Sequence, residues 1–533
     1  MDDPKVLLIN PPLWYYQSVP VDFIYAAYQL DINGIDYQAR DLNLEALEYL
    51  CNQYDKDIIA TLSNQDTFYD ITKLRECYEK INLMFQNVNL NIIPNKLGIN
   101  FYRSEIDIRS LEEIIRRMNQ KNINPFIPFF EHILSYLLTD NVKLIAIALY
   151  HPDQLIPLFM LADRIKNQNP DIHIHVFGNL EDQVNTKLLF SDFPEEISTK
   201  VSKYIDSVGI GESHENIVDI YNKVIVEKEC TADKRSLHIE VGRGNDIFKL
   251  NKNILSKMPN SRFMPQNILN ILGSQGCYWG KCSYCSIKKH SRYKKKTTEH
   301  VLEDLREVAV NGNYPIVRFR DCCISPTDLD RIAEQLLKEE IRISWCCRAR
   351  FEKGFSSELF RKLKLSGCMM LSFGIESFNN DTLLYMNKGI DTIEAKRVIK
   401  SCRETGIAVK LTAIVGYPTE TFEQAEYNLN MLKEVSPYCV DIKCNPFILF
   451  DNTEMSSYPE KFNIVKKSYT NNQIFRYYCD YVIKEQDDQI KSGAIEEKIE
   501  QICHGMFAFP SEEHLLLYLQ RYGLKQCLEY VHG

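Results

Sequence analysis

Apolar and polar positions follow a strand-then-helix rhythm over two long stretches of the chain. In the first stretch the strand-like runs are Val6–Ile9, Leu144–Leu149, Ile172–Phe177 and Val208–Ile210, with Tyr37–Arg40 as a further candidate strand. Apolar residues at helical spacing occupy Phe23–Leu30 and Gln154–Lys166, and a further helix is expected from about His214. Strands alternating with helices predict a doubly wound (Rossmann-like) α/β domain, a parallel sheet with helices on its faces. Ligands of such sheets sit at the carboxyl ends of the strands. Here those ends are the loops at Asn10, Tyr150, Gly178 and Gly211.

The rhythm breaks between about residues 52 and 140, an Asn-rich stretch in which Leu111, Ile114, Ile115 and Met118 share a helix face. It reads as a helical insertion, either covering the ligand site or serving plain packing. Residues 231–265 are polar with scattered Gly and read as a linker, which makes 1–230 the first domain. From 266 the alternation resumes. Ile268–Leu272, Ile316–Phe319, Ile343–Cys347, Met370–Gly374, Ala408–Val415 and Val440–Lys443 are strand-like, and amphipathic helices separate them. Six such units predict a partial, open (β/α)6 barrel over 266–460, with its site again at the carboxyl ends of the strands. Residues 461–533 are helical in pattern, aromatic and charged.

The chain has 533 residues, enough for two or three domains. It contains no apolar run long enough to cross a bilayer, and its acidic start lacks the basic residues of a signal peptide. A cytoplasmic monomer without a membrane partner is expected. The formal charge of −9 argues against general nucleic-acid binding, which rewards basic surfaces. Seventeen Cys is a high and odd count, so reduced thiols with a subset on metal are expected rather than disulfides.

The candidate chemistry starts at Gly276-Cys277-Tyr278-Trp279-Gly280-Lys281-Cys282-Ser283-Tyr284-Cys285, directly after the first barrel strand. Three thiolates on one short loop suit three irons of a [4Fe–4S] cube and leave the fourth iron open. The other readings are a zinc site, for which His290 is the candidate fourth ligand, or three buried thiols.

With the barrel around it, this loop resembles that of the radical S-adenosylmethionine superfamily, which places three cysteines after the first strand of a (β/α)6 barrel. The family's gaps are three and two residues; here they are four and two. The departure concerns the loop's shape more than its ligands. Phe373-Gly374-Ile375-Glu376-Ser377 looks like the family segment that contacts the ribose and methionine of the cofactor, and Ile414-Val415-Gly416-Tyr417-Pro418-Thr419-Glu420 like its segment near adenine. The resemblance makes Cys277, Cys282 and Cys285 the cluster ligands. It implies S-adenosylmethionine contacts from Tyr284, Asp321, Arg350, Glu376, Ser377, Ile414 and Phe447. The implied chemistry is one-electron cleavage of the sulfonium to a 5′-deoxyadenosyl radical that removes a substrate hydrogen. An electron donor such as flavodoxin or ferredoxin is implied with it.

A doubly wound domain ahead of this barrel resembles the cobalamin-binding class of these enzymes. The matching fragments are Leu7-Leu8-Ile9-Asn10-Pro11-Pro12, the run from Ala26 to Gly34, Asp206-Ser207-Val208-Gly209-Ile210-Gly211-Glu212, and Met386-Asn387-Lys388-Gly389. Candidate cobalamin contacts are Asn10, Pro11, Tyr150, His151, Gly178, Gly211 and Glu212. The first-strand loop has no His, so a corrin here would lack a histidine lower ligand. The class implies C-methylation of a peptide or natural-product intermediate. Radical cyclisation or ring rearrangement with the same cofactors is the alternative, and a non-catalytic metal-binding or redox protein is the alternative of another class. Cys322-Cys323 and Cys346-Cys347 are read mainly as buried thiols, with a second cluster as the other reading. The basic run Lys288, Lys289, Arg292 and Lys294–Lys296 either meets an anionic substrate or leader peptide, or starts a solvated helix.

Overall fold

The computed structural model describes residues 5–12, 19–98, 101–122, 124–178, 190, 193, 195–210, 216–228, 237–241, 250, 252–287, 293–470, 472–476, 478–484, 509 and 511–532. It divides into two compact units, Met1–Asn267 with Thr470–Tyr477, and Ile268–Tyr469 with Tyr478–Gly533.

The sheet of the first unit has six parallel strands: β1 Val6–Asn10, β2 Tyr37–Asp41, β3 Leu144–Ala148, β4 His173–Phe177, β5 Ser207–Ile210 and β6 His238–Val241. Their order is β2-β1-β3-β4-β5-β6. β1, β3 and β4 are buried along their whole length, as central strands of a parallel sheet should be, and Asn10, His173 and His175 are the polar residues among them. The strand order reverses between β1 and β3, so the crevice beyond their carboxyl ends is the topological switch point where such sheets bind ligands. β6 corrects the reading of 231–265 as a linker. The segment completes the sheet through β6, and helix Lys252–Lys257 follows it, with Lys257 paired to Asp31 at 3.0 Å. Short polar strands at a sheet edge carry no long apolar run, which is why the pattern missed β6.

Between β2 and β3 lie helices Leu42–Tyr54, Asp57–Ser63, Ile71–Leu90, Leu111–Arg117 and Ile127–Leu137. Leu111, Ile114 and Met118 are buried. Phe475, far along the chain, belongs to this unit, with its ring 5.7 Å from Phe190 and 6.0 Å from Phe159.

In the second unit β7 Ile268–Ile271, β8 Ile316–Phe319, β9 Ser344–Ala349, β10 Cys368–Glu376, β11 Ala408–Val415 and β12 Asp441–Pro446 pair in strict sequence order, all parallel. Sequential parallel strands require crossover helices, and right-handed crossovers curl the sheet into an open six-strand barrel. Local signals place these helices. Thr297, Ser325, Ser356 and Asp391 cap N-termini through their side chains, and Gly312 and Gly406 end helices in the left-handed conformation. Along β11 Lys410, Thr412 and Ile414 are partly exposed while Leu411, Ala413 and Val415 are buried, so one face looks into the barrel interior.

The tail is helical over Glu512–His532, with Gly523 breaking the helical conformation. Ahead of it, Ile464–Lys466 and Tyr481–Ile483 form a short antiparallel pair that the helical pattern did not anticipate. Glu512 and Glu513 start the helix, where its dipole favours acids. Arg318 of β8 lies 2.7 Å from Glu513 and 3.2 Å from Glu512, and Lys410 of β11 lies 2.6 Å from Glu512.

Candidate functional site

The cysteine loop is anchored before its first thiol. At the end of β8, the buried Asp321 accepts the N–H of Gly273 at 2.9 Å and the Ser274 hydroxyl at 2.6 Å. Burial raises its pKa. Gly276 and Gly280 then take φ of +73° and +56°, turns that side-chain-bearing residues disfavour. Farther on, Ser283 donates from its N–H to Met386 at 3.0 Å and from its hydroxyl to Tyr385 at 2.8 Å, while its carbonyl accepts the Met455 N–H at 3.2 Å.

Cys277, Cys282 and Cys285 are all half-buried. Cys277 is pushed down to about 6 by a hydrogen bond from the Cys323 thiol, with the N–H groups of Gly280 and Trp279 and the Arg350 charge adding to it against burial. Burial raises Cys282, with Lys388 and Arg350 opposing, and burial pushes Cys285 up to about 12. Among the described residues no three His, Cys, Asp or Glu side chains converge as a single metal ion requires. A cube makes no such demand, because each thiolate meets a different iron. Three thiols on one glycine-bent loop, beside the cations of Arg350 and Lys388, therefore fit a [4Fe–4S] cluster.

Glu376 ends β10 in the left-handed region, at φ +60°, beyond a register shift between Gly374 and Glu376. Lys388 Nζ lies 2.9 Å from its Oε1 and donates to the Tyr284 hydroxyl at 3.2 Å. Burial works against the lysine's charge, but Glu376 and the Cys282 thiol hold its pKa above the ordinary value. Gly374 makes room for the pair, since a Cβ there would stand 2.4 Å from Glu376 Oε1. Arg350 donates to the Lys388 carbonyl at 2.7 Å and stacks over Trp279, its Cζ 4.3 Å from the ring centroid. Trp279 Nε1 donates to Asn387 at 3.1 Å. Phe447, Ile414 and Tyr284 pack with Tyr417 and Tyr481 into an apolar wall.

The cysteines, Tyr284, Arg350, Glu376, Ile414 and Phe447 are thus gathered at the carboxyl ends of the barrel strands. Asp321 and Ser377 hold local backbone: the Ser377 hydroxyl accepts the N–H of Asn379 at 3.0 Å. Lys388 and Trp279 join these residues, although only the fragments that contain them, Met386–Gly389 and Gly276–Cys285, were singled out along the chain. Cys323 is buried, as its main reading expected, and its sulfur lies 3.4 Å from that of Cys277. His290 and Lys288, Lys289 and Arg292 lie outside the described residues.

Gly389 sits at φ +65°, and a Cβ there would stand 2.3 Å from the Trp279 ring. Gly389→Ala is expected to displace Trp279 and destabilise the protein by about 1–3 kcal/mol. Thermal unfolding beside iron content checks this; a variant matching the wild type in both refutes it.

In the first unit, Asn10 donates to the Asp41 carboxylate at 3.0 Å, and Gln154 donates to the Pro11 carbonyl at 3.0 Å and to the Asn10 side-chain oxygen at 3.4 Å. Gln154 Oε1 accepts the N–H of Tyr150 at 2.7 Å and of His151 at 3.0 Å. These bonds tie the β1 and β3 loops together at the switch point. Burial pushes Asp41 up to about 7. Gly178 lies beside them, and a Cβ there would meet the Leu149 carbonyl at 2.2 Å. His173 and His175 are inside the sheet, both at 2.8 Å from the Ser207 hydroxyl. Gly211 and Glu212 lie outside the described residues.

Residues 271–432 match the model of the Radical SAM superfamily. An uncharacterized methyltransferase, PH0819, of Pyrococcus horikoshii is 25% identical over 169 residues, 31% of this chain and 36% of that protein. The ribosomal protein uS12 methylthiotransferase RimO of Heliobacterium modesticaldum is 22% identical over 232 residues, 41% of this chain and 48% of that protein. The chain thus spans less than half the length of these relatives. Among solved structures, TsrM from Kitasatospora setae, a radical S-adenosylmethionine methyltransferase bound to tryptophan and a SAM analogue, superposes with a TM-score of 0.57 at 13% identity, covering 96% of this chain and 94% of TsrM. The cobalamin-dependent S-adenosylmethionine radical enzyme OxsB, with aqua-cobalamin bound, gives 0.57 at 13% identity, covering all of this chain and 72% of OxsB. Residues 271–432, which carry the three loop thiols, are thus a Radical SAM domain, and the chain has the fold that TsrM and OxsB share.

Proposed function

We propose that this enzyme is a cobalamin-dependent C-methyltransferase acting on a peptide or natural-product intermediate. The observation that carries the reading is the switch point of the first unit. Asn10, Pro11, Tyr150 and Gly178 stand at the carboxyl ends of β1, β3 and β4, where sheets of this strand order bind ligands, in a unit that precedes the radical SAM barrel. Among similar proteins, TsrM has been solved with cobalamin and a [4Fe–4S] cluster bound. PH0819 supports methyl transfer by its description alone.

Asn10, Pro11, Tyr150, His151 and Gly178 would hold the corrin, and cobalamin would supply a cobalt able to carry a methyl group. His173 and His175 are sealed in the sheet, and His151 is occupied in part as a helix cap, accepting the N–H of Asp153 at 3.3 Å. In the barrel, Cys277, Cys282 and Cys285 would hold the cluster, which with S-adenosylmethionine supplies a carbon radical. Glu376 offers carboxylate oxygens to an ammonium or ribose hydroxyl, and Ile414 and Phe447 give an apolar surface for adenine. Tyr417, buried, and Tyr284 and Tyr481, partly buried, would keep water from that surface.

Anaerobic reconstitution with iron, sulfide and hydroxocobalamin tests the reading. The corrin should stay bound through gel filtration, and reduction with S-adenosylmethionine present should release 5′-deoxyadenosine. Methylated substrate and S-adenosylhomocysteine should appear together. Cyclised or rearranged substrate without S-adenosylhomocysteine would replace methyl transfer with the alternative radical chemistry.

A further inference from the structure

We infer that Cys323 is a positioning residue for the cluster: its S–H donates a hydrogen bond to the Cys277 thiolate and raises the reduction potential of the iron it holds. The inference rests on the three-cysteine cluster reading. The two sulfurs lie 3.4 Å apart, although 46 residues separate them in the chain. As an iron ligand Cys277 carries no proton, so the proton of this contact belongs to Cys323.

The surrounding backbone holds the contact in place. Two residues upstream, Asp321 binds Gly273 and Ser274, the residues that lead into the cysteine loop. One residue downstream, Ile324 donates from its N–H to the Arg348 carbonyl at 2.9 Å and bridges Ala349. Cys323 is thereby pinned between the loop and β9. It is 3% exposed, so water does not replace its sulfur in the contact. Hydrogen bonds to ligand sulfurs set cluster potentials, because reduction adds negative charge that a donor stabilises. A thiol is a weak donor but a soft and close one. It is also not placed as a fourth ligand: a sulfur in contact with Cys277 shares that ligand's corner and leaves the open iron to the cofactor.

The test is an anaerobic redox titration of the reconstituted full chain, read by electron paramagnetic resonance of the reduced cluster. Cys323→Ala should keep its iron and sulfide content and shift the one-electron reduction equilibrium about tenfold towards the oxidised cluster, about 59 mV lower in potential. Cys323→Ser, which keeps a donor, should recover part of that shift. Cys402→Ala removes a buried thiol on helix Thr392–Thr405 and should leave the potential unchanged. In D2O the reduced wild type should show a deuteron coupling that Cys323→Ala lacks. An unchanged potential in Cys323→Ala overturns the proposal. Loss of the cluster in that variant also overturns it, since Cys323 would then be a ligand or a structural residue. A wild type that takes up no [4Fe–4S] cluster overturns the cluster reading itself and this inference with it, whereas failure of corrin binding leaves the inference standing.

Discussion

Cys282→Ala is expected to reduce the cleavage of S-adenosylmethionine at least about a thousandfold, a loss of ~4 kcal/mol in transition-state stabilisation. The middle thiol of the loop would hold one of three protein-bound irons. Its removal leaves two ligands for a cube that already reserves one iron for the cofactor. The fold should survive, because the loop's backbone is held by bonds that do not involve this sulfur. Ser283 ties the loop to Tyr385 and Met386, Trp279 ties it to Asn387, and Asp321 fixes its entry. Iron and sulfide content, visible absorbance and 5′-deoxyadenosine release should therefore fall together, while far-ultraviolet circular dichroism stays unchanged. A variant that retains the cluster spectrum would move the ligand set elsewhere.

The second large effect concerns stability. Arg318→Met is expected to destabilise the second unit by about 3–5 kcal/mol. Arg318 is 5% exposed and faces Glu513, itself 2% exposed, at 2.7 Å. It also donates to Asn270 at 2.8 Å. Removing the guanidinium strands a buried carboxylate, which costs more than the pair ever contributed. At roughly 2–4 °C per kcal/mol for a domain of this size, the melting temperature should drop by about 6–20 °C. Glu513→Gln added to Arg318→Met should restore much of the loss. If the single variant melts within about 2 °C of the wild type, the pair carries no such weight. The same cluster gives a pH dependence. Burial raises the Glu512 pKa, but Lys410 and Arg318 more than offset this and hold it well below the carboxylate range. A folded-state pKa below the unfolded one stabilises the protein at neutral pH. That contribution declines as pH falls below ordinary carboxylate values.

Much of the site was legible along the chain because it is written at strand ends. A strand period followed by a helix period locates the carboxyl end of each strand to within a residue or two. Cys277, Cys282, Cys285, Glu376, Ile414 and Phe447 all stand at such ends. The loop glycines were legible for the same reason: bending a chain tightly needs residues without a Cβ. β6 was not legible, since a four-residue polar edge strand carries no distinctive period.

By itself, then, the sequence determined two parallel α/β units and the place of a three-cysteine loop after the first barrel strand, and the radical chemistry proposed for that loop came from its resemblance to a family. Periodicity and spacing are local properties, and local properties survive translation into a one-dimensional string. Only the tertiary structure decided which side chains meet across the strand ends. Lys388 neutralises Glu376 across a register shift in β10, and Arg318 meets an acid 194 residues away. Cys323 reaches Cys277 because β7 and β8 pair in parallel with Phe319 opposite Ile271. Such contacts depend on strand register and helix packing, where a slip of one residue turns a side chain to the opposite face.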